Sequence, residues 1–402
     1  MNLDLALALV FYLLLILFFL KHKKKVQFQA KIIALYRTKF GLKLMDKIAK
    51  KFPKTLHYLG FLSIITGFAG MAFIFYWLLK GTFDLLMKSG TPPAVAPVLP
   101  GIKVIPGLPV LSFMHWVIAI LIIAVIHEFS HGIYARLYNV KVKSSGFALF
   151  GPILAAFVEP DEKQVPKKSK RVQLSIFSAG PFSNILTGFL FLAIITSLTL
   201  PAYNAAYDSD GIVVNTLMEN FPMHATGIEA PFTIVGVDGK TITDFDEFSN
   251  ATLGLSPGDE IILNTNKGDY SIIAGVNPDN DSKGFMGVSN FELSRIPNPD
   301  VVEKYGSFFP PLVEWFHMLF FWLWVVSWGV GLFNLLPLGP IDGGLMLNAG
   351  LQGILKDNKK AHKYWSIVSF VCLLLIFINL APFLWKLLLW IIKPLILVFT
   401  LF

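Results

Sequence analysis

His127, Glu128 and His131 form an HExxH sequence inside Phe113–Tyr138, a stretch apolar enough to cross a membrane. On a helix, positions four apart share a face, so both imidazoles can reach one cation. Glu128 then stands beside them, where the general base for a metal-activated water belongs. Ionisable side chains at membrane depth are costly and are functional candidates by default. The chemistry such a group supports is metal-dependent hydrolysis within the bilayer. The bland alternative is a polar helix face lining a hydrated cavity.

A catalytic zinc site takes three protein ligands and keeps one position open. Asp342 is the candidate third ligand, after an apolar run broken by Pro337 and Pro340 and flanked by Gly339, Gly343 and Gly344. Such a break can carry a short carboxylate inward. It equally suits a turn or N-cap aspartate, and spacing alone leaves both open. Asn184 follows the helix-loosening Gly180-Pro181 pair and could stabilise an oxyanion or pack two spans. Asn334 lies within a span, where an unpaired amide is costly, and could hold a substrate backbone or join two helices. His115, Glu314 and His317 fall near outer ends of spans and suit interfacial roles. Glu159 and Asp161, at the end of a short apolar segment, are weaker candidates.

The elements that must position these residues are those of a polytopic membrane protein. Only 15% of the 402 residues are charged, 54% are hydrophobic and mean hydropathy is +0.63. Soluble domains carry roughly 25% charged residues. Cys372 is the only cysteine, so neither an internal disulfide nor a cysteine zinc site can form. The net charge of +8 is uneven: Pro201–Pro310 holds 16 acidic and 5 basic residues, leaving +19 on the remainder. Basic residues flank apolar spans, which matches cytoplasmic loops beside anionic lipid and argues against nucleic-acid binding.

Leu3–Leu20 reads as an anchor with its N-terminus outside, since the lysines follow the apolar run. Residues 26–55 read as an amphipathic helix on the cytoplasmic surface. Leu56–Leu79 is a second span, and residues 80–112, with six prolines and four glycines, form an outer loop. Residues 144–160 are apolar but too short to cross as a helix, so a re-entrant hairpin is expected beside the metal. Val172–Leu200, Leu312–Pro337 and Tyr364–Pro382 are further spans. Lysines within 343–363 mark the cytoplasm, and 383–402 is either interfacial or a seventh crossing.

HEFSH at 127–131, SAGPFSN at 178–184 and NLLPLGPIDGG at 334–344 occur in order on successive spans. The chain resembles the site-2 protease family of intramembrane zinc metalloproteases, peptidase family M50, whose HExxH and NxxPxxxxDG patterns are both intact. The resemblance covers roughly residues 113–382. It implies one Zn2+ held by His127, His131 and Asp342, Glu128 as catalytic base, and substrate-handling or oxyanion roles for Asn184 and Asn334. The AAFVEP stretch resembles the family's membrane-embedded β-hairpin. Residues 205–292 resemble an inserted PDZ domain, with short strands around an Asp238-Gly239 turn. A strong carboxylate-binding signature is not evident there, so the domain could filter substrates by size instead of capturing chain ends.

The expected fold is a polytopic α-helical membrane protein with about six transmembrane helices, a re-entrant β-hairpin and an inserted mainly-β PDZ-like soluble domain. The expected divisions are a two-span region at 1–112 and a first catalytic half at 113–202. The PDZ-like domain follows at 203–300, expected on the outer side of a prokaryotic cell membrane. A second catalytic half spans 301–382, and 383–402 closes the chain. The expected activity is an intramembrane zinc metalloendopeptidase that cleaves single-span membrane proteins, with lipid and a peptide at the PDZ-like domain as further partners. A proton- or metal-coupled transporter would use the same three ligands on a permeation path, but no matching broken-helix repeats are found. An inactive PDZ scaffold would have no need of Glu128.

Overall fold

The computed structural model describes residues 3–29, 33–88, 90–102, 108–151 and 153–400. Part of the Pro-rich outer loop (103–107) and the last two residues lie outside this set. Two compact units emerge, Met1–Ile194 with Met318–Phe402, and Ile195–His317. Among the described residues, six helices are long and apolar enough to cross a membrane.

The first unit opens with α1 (Leu3–Lys21), β1 (Val26–Gln29), β2 (Ile33–Thr38), α2 (Leu42–Lys51) and α3 (Pro53–Met87). It continues through α4 (Phe113–Leu137), β3 (Val142–Phe150), β4 (Ile153–Pro160) and α5 (Lys170–Ile194). Asp4, the one carboxylate of α1, accepts the Phe113 backbone N–H at 2.7 and 2.9 Å and so caps the helix carrying HExxH. The re-entrant hairpin forms as β3 and β4. It is wider than expected, because β1 and β2 add to it in a four-stranded antiparallel sheet of order β1-β2-β3-β4.

That sheet corrects the reading of residues 26–55 as one amphipathic helix. Only Leu42–Lys51 is an amphipathic helix; the segment before it is a hairpin whose β2 pairs Ile33 with Phe150 and Thr38 with Ser145. Gly41, at φ +78°, turns the chain between the two, a conformation that favours glycine. The pairing partner lies more than a hundred residues away, beyond the reach of local periodicity.

In the second unit a π-helical turn at Ile195–Thr199 leads to α6 (Leu200–Ala206) and β5 (Tyr207–Leu217). Next come α7 (Pro222–Ala225), β6 (Phe232–Val237), β7 (Lys240–Thr241), α8 (Phe245–Thr252), β8 (Glu260–Thr265) and β9 (Gly268–Ile273). The unit closes with β10 (Gly275–Asn277), β11 (Asn280–Phe285), β12 (Val288–Pro297) and α9 (Pro299–Tyr305). Its main sheet runs β12-β5-β6-β8-β9 over an apolar core that includes Ile212, Val214, Phe232, Ile234 and Leu263. The β6–β7 turn has positive φ at Asp238 and Gly239, the twist a tight hairpin prefers. β12 is an edge strand, with Phe291 5.5 Å from Phe248 of α8.

Three helices complete the chain: α10 (Phe309–Asn334), α11 (Asp342–Leu355) and α12 (Asn358–Thr400). Helix α11 takes up the first part of the segment 343–363, read as cytoplasmic from its lysines. Residues 383–400 continue α12 without a break; at about 1.5 Å per residue its 43 residues exceed a bilayer core of about 30 Å.

Candidate active site

Helix α4 places His127 and His131 on one face, and both Nε2 atoms converge 3.2 Å apart. Asp342, the first residue of α11, brings Oδ2 to 3.0 Å from His127 Nε2 and 3.4 Å from His131 Nε2. One ligand atom from each residue lies within 4.8 Å of the others, a spacing that could hold a metal ion. Between spacing alternatives for Asp342, the structure shows no side-chain cap at the start of α11; the carboxylate faces the imidazoles instead.

Glycines let the three elements meet. A Cβ on Gly180 would fall 2.3 Å from His131 Nε2 and 2.6 Å from His127 Nε2. One on Gly343 would lie 2.3 Å from the Leu335 and Leu336 carbonyls, and one on Gly344 would lie 2.4 Å from the Leu338 carbonyl. The first turn of α11 can therefore dock against the end of α10 only without side chains there.

The imidazoles are oriented from behind. His131 Nδ1 donates to the Ile176 carbonyl of α5 at 2.7 Å, one turn before Gly180. Donation through Nδ1 leaves the Nε2 lone pair free for a cation. His127 Nδ1 lies 3.1 Å from the Asn184 side-chain amide, while Asn184 is fully buried with Oδ1 unpartnered. Turning that amide over satisfies both atoms: Oδ1 accepts from a protonated Nδ1, and Nε2 again faces the ligand cluster. The two converging Nε2 atoms and the Asp342 carboxylate fit a bound cation of the zinc type.

Glu128 accepts the Val158 N–H of β4 at 3.0 Å. It lines a cavity of about 350 Å³ together with His127, Asp342, Asn334, Ala155 and Ala156. Asn334 lines the same cavity as the ligand cluster. Asn184 is not among that lining; it sits behind His127. The weaker candidates lie elsewhere. Ser144 and Arg37 bind Glu159, Asp161 pairs with Lys143, and His115 bonds Ser112. In the second unit Glu314 accepts from Tyr207, and His317 meets Thr199. The Ile176 carbonyl and Val158 N–H carry no mark in the sequence. Gly180 does, through the Gly-Pro pair, but which atoms approach it could not be read.

A family model for peptidase family M50 matches residues 115–376. An uncharacterized protein of Methanocaldococcus jannaschii is 28% identical over 82% of this chain and 80% of its own length. The zinc metalloprotease RasP of Shouchella clausii is 23% identical over 50% of this chain, and the match spans 56% of RasP. The chain thus spans less than two thirds of RasP. A crystal structure of the PDZ domain of the SdrC-like protein from Listeria monocytogenes matches 23% of this chain and 92% of that domain, at 19% identity and a TM-score of 0.18.

Proposed function

Because the chain belongs to peptidase family M50, an integral membrane protein of the site-2 protease type, we propose that it is a zinc metalloendopeptidase cleaving single-span membrane proteins within the bilayer. The observation that carries this reading is the convergence of His127, His131 and Asp342 beside Glu128 in one cavity. These three side chains would hold one Zn2+, which supplies a Lewis acid and lowers the pKa of water toward about 7. Glu128 takes the proton of the attacking water and returns it to the leaving amine as the peptide bond breaks. Asn184 and the Ile176 carbonyl fix the imidazole tautomers. Asn334 donates to the substrate backbone.

A helical peptide bond is hidden by its own hydrogen bonds, so the substrate must unwind. β4 is an edge strand. Because Val158 N–H points away from β3, so does that of Ala156, two positions back. An unwound substrate pairs along that edge. The acidic β unit lies outside the cytoplasm in this reading, as the charge asymmetry suggests. As a PDZ-like module it accepts or filters extended peptide at β12 beside α8.

The test uses purified full-length protein, its zinc content and cleavage of a single-span reporter. Glu128→Gln should keep zinc and lose cleavage by at least about a thousandfold. Asp342→Ala should lose zinc, and Asn184→Ala should weaken zinc affinity about 10–100-fold. Wild-type turnover in Glu128→Gln, or zinc-free wild type after careful preparation, would sink the reading.

A further inference from the structure

A second cavity, of about 640 Å³, lies on the other side of Glu128. Its walls are apolar, formed by Leu44 and Met45 of α2, Val125 and Phe129 of α4, Phe147 of β3 and Phe157 of β4. Glu128 and Ala156 line both this cavity and the one holding the ligand cluster, so the two adjoin at the proposed base. Ala156, Phe157 and Val158 line it in succession. The cavity also touches Thr38 of β2 and Ser145, Gly146 and Phe147 of β3, so it lies over one face of the sheet and extends to the edge strand β4.

The outer wall comes from the segment that precedes the catalytic helices. Met45 is 1% exposed and seals against α4, where a Cβ on Gly132 would fall 2.5 Å from its Sδ. A Cβ on Gly41 would fall 2.8 Å from Phe129, so the turn between β2 and α2 also rests on α4. The hairpin pairing of β2 with β3 fixes this wall relative to β4.

We propose that this cavity is a specificity pocket for one large apolar side chain of the substrate, on a residue flanking the scissile bond, and that α2 sets its size. The proposal rests on the protease reading above. A strand paired along the β4 edge directs alternate side chains to opposite sides, and the residue beside Glu128 has this cavity on one of them. At about 640 Å³ the cavity exceeds one side chain, so an aliphatic or aromatic group would fill the part beside Glu128 and Ala156, where the lining is apolar. A wall shared with the base at Glu128 and Ala156 favours a substrate side chain over a lipid tail as occupant.

The test uses full-length protein in proteoliposomes and reporters varied to Ala, Leu, Phe or Trp at each residue flanking the mapped cleavage site. Wild type should favour Leu or Phe over Ala at one flanking position by at least about tenfold in kcat/KM. Leu44→Trp and Val125→Trp, which narrow the cavity from two different elements, should each lower that ratio about tenfold or invert it. A ratio unchanged in both variants, with cleavage still abolished by Glu128→Gln, would overturn the pocket and leave the protease reading intact. The same unchanged ratio, with a lipid retained by wild type and lost from Leu44→Trp in native mass spectrometry, would assign the cavity to an acyl chain. Absence of Glu128-dependent cleavage in wild type would overturn both.

Discussion

The β unit fills its interior with Ile212, Val214, Phe232, Ile234, Ile261 and Leu263, each at most 1% exposed. Helices α3, α4 and α5 bury Gly60, Ser63, Gly67, Gly132, Ser175, Ser178 and Gly180 beside larger side chains such as Leu78, Trp116 and Ile176. The difference follows the solvent. In water, apolar burial drives folding, so large branched side chains collect inside. Lipid removes that drive, and helices associate through close approach and shared hydrogen bonds. Ser63 Oγ lies 2.7 Å from Ser178 Oγ, Gly60 admits the Tyr134 ring and Gly67 admits Met346. The same small-residue packing that holds α4 to α5 lets Gly180 approach the two imidazoles, so fold and site share one contact.

Four substitutions probe that contrast. Gly180→Ala should have the largest effect, because its methyl would occupy the space of both Nε2 atoms. Zinc affinity should fall on the order of a hundredfold or more, and full zinc content would show that α5 does not shape the site. Phe232→Ala should cost about 3–5 kcal/mol in the β unit through lost burial and a cavity. Hydrogen exchange of β5, β6 and β8 should report it while zinc content stays unchanged; a loss of zinc would mean the units do not fold separately. Ser63→Ala should cost only about 0.6 kcal/mol, the average for a hydrogen bond between spans. A loss of several kcal/mol in a steric-trap or denaturant assay would contradict packing as the main term.

The smallest effect concerns the tie between β2 and β4. The Ser144 hydroxyl, and then the Arg37 guanidinium, hold the Glu159 carboxyl below its ordinary value of 4.5. A lowered folded pKa gives stability that is present above 4.5 and is lost as pH falls through the folded value. The pair is partly exposed, so the loss should stay near the low end for such pairs, about 0.2 kcal/mol. Exchange of β4 amides should accelerate on acidification in wild type and be flatter in Glu159→Gln. An identical acid response in both would remove Glu159 from the account.

Much of the membrane architecture was legible because apolar length and flanking charge are local signals. The spans at α1, α4 and α10 lie within a few residues of expectation, and the re-entrant hairpin was marked by an apolar run too short to cross. The hairpin at β1 and β2 was not legible. Its apolar residues suit a surface helix equally well, and only the edge of β3 decides between the two. Helix α11 was hidden for a related reason: its Asp-Gly-Gly start reads as a turn until the carbonyls at the end of α10 are seen pressing on it.

The sequence by itself determined the types of residue able to do chemistry and their local geometry. A four-residue spacing on a helix puts two imidazoles on one face whatever surrounds it, and the break at Pro337–Pro340 follows from backbone sterics. Only the tertiary structure decided which atoms meet. Asp342 reaches the imidazoles because Gly343 and Gly344 let α11 close on α10. Asn184 stands behind His127 and not in the cavity, because α5 packs on α4 through Gly180. The second cavity exists because β2 found β3. Contacts between distant segments depend on side-chain volume and direction in three dimensions, and a linear pattern does not encode which surfaces meet.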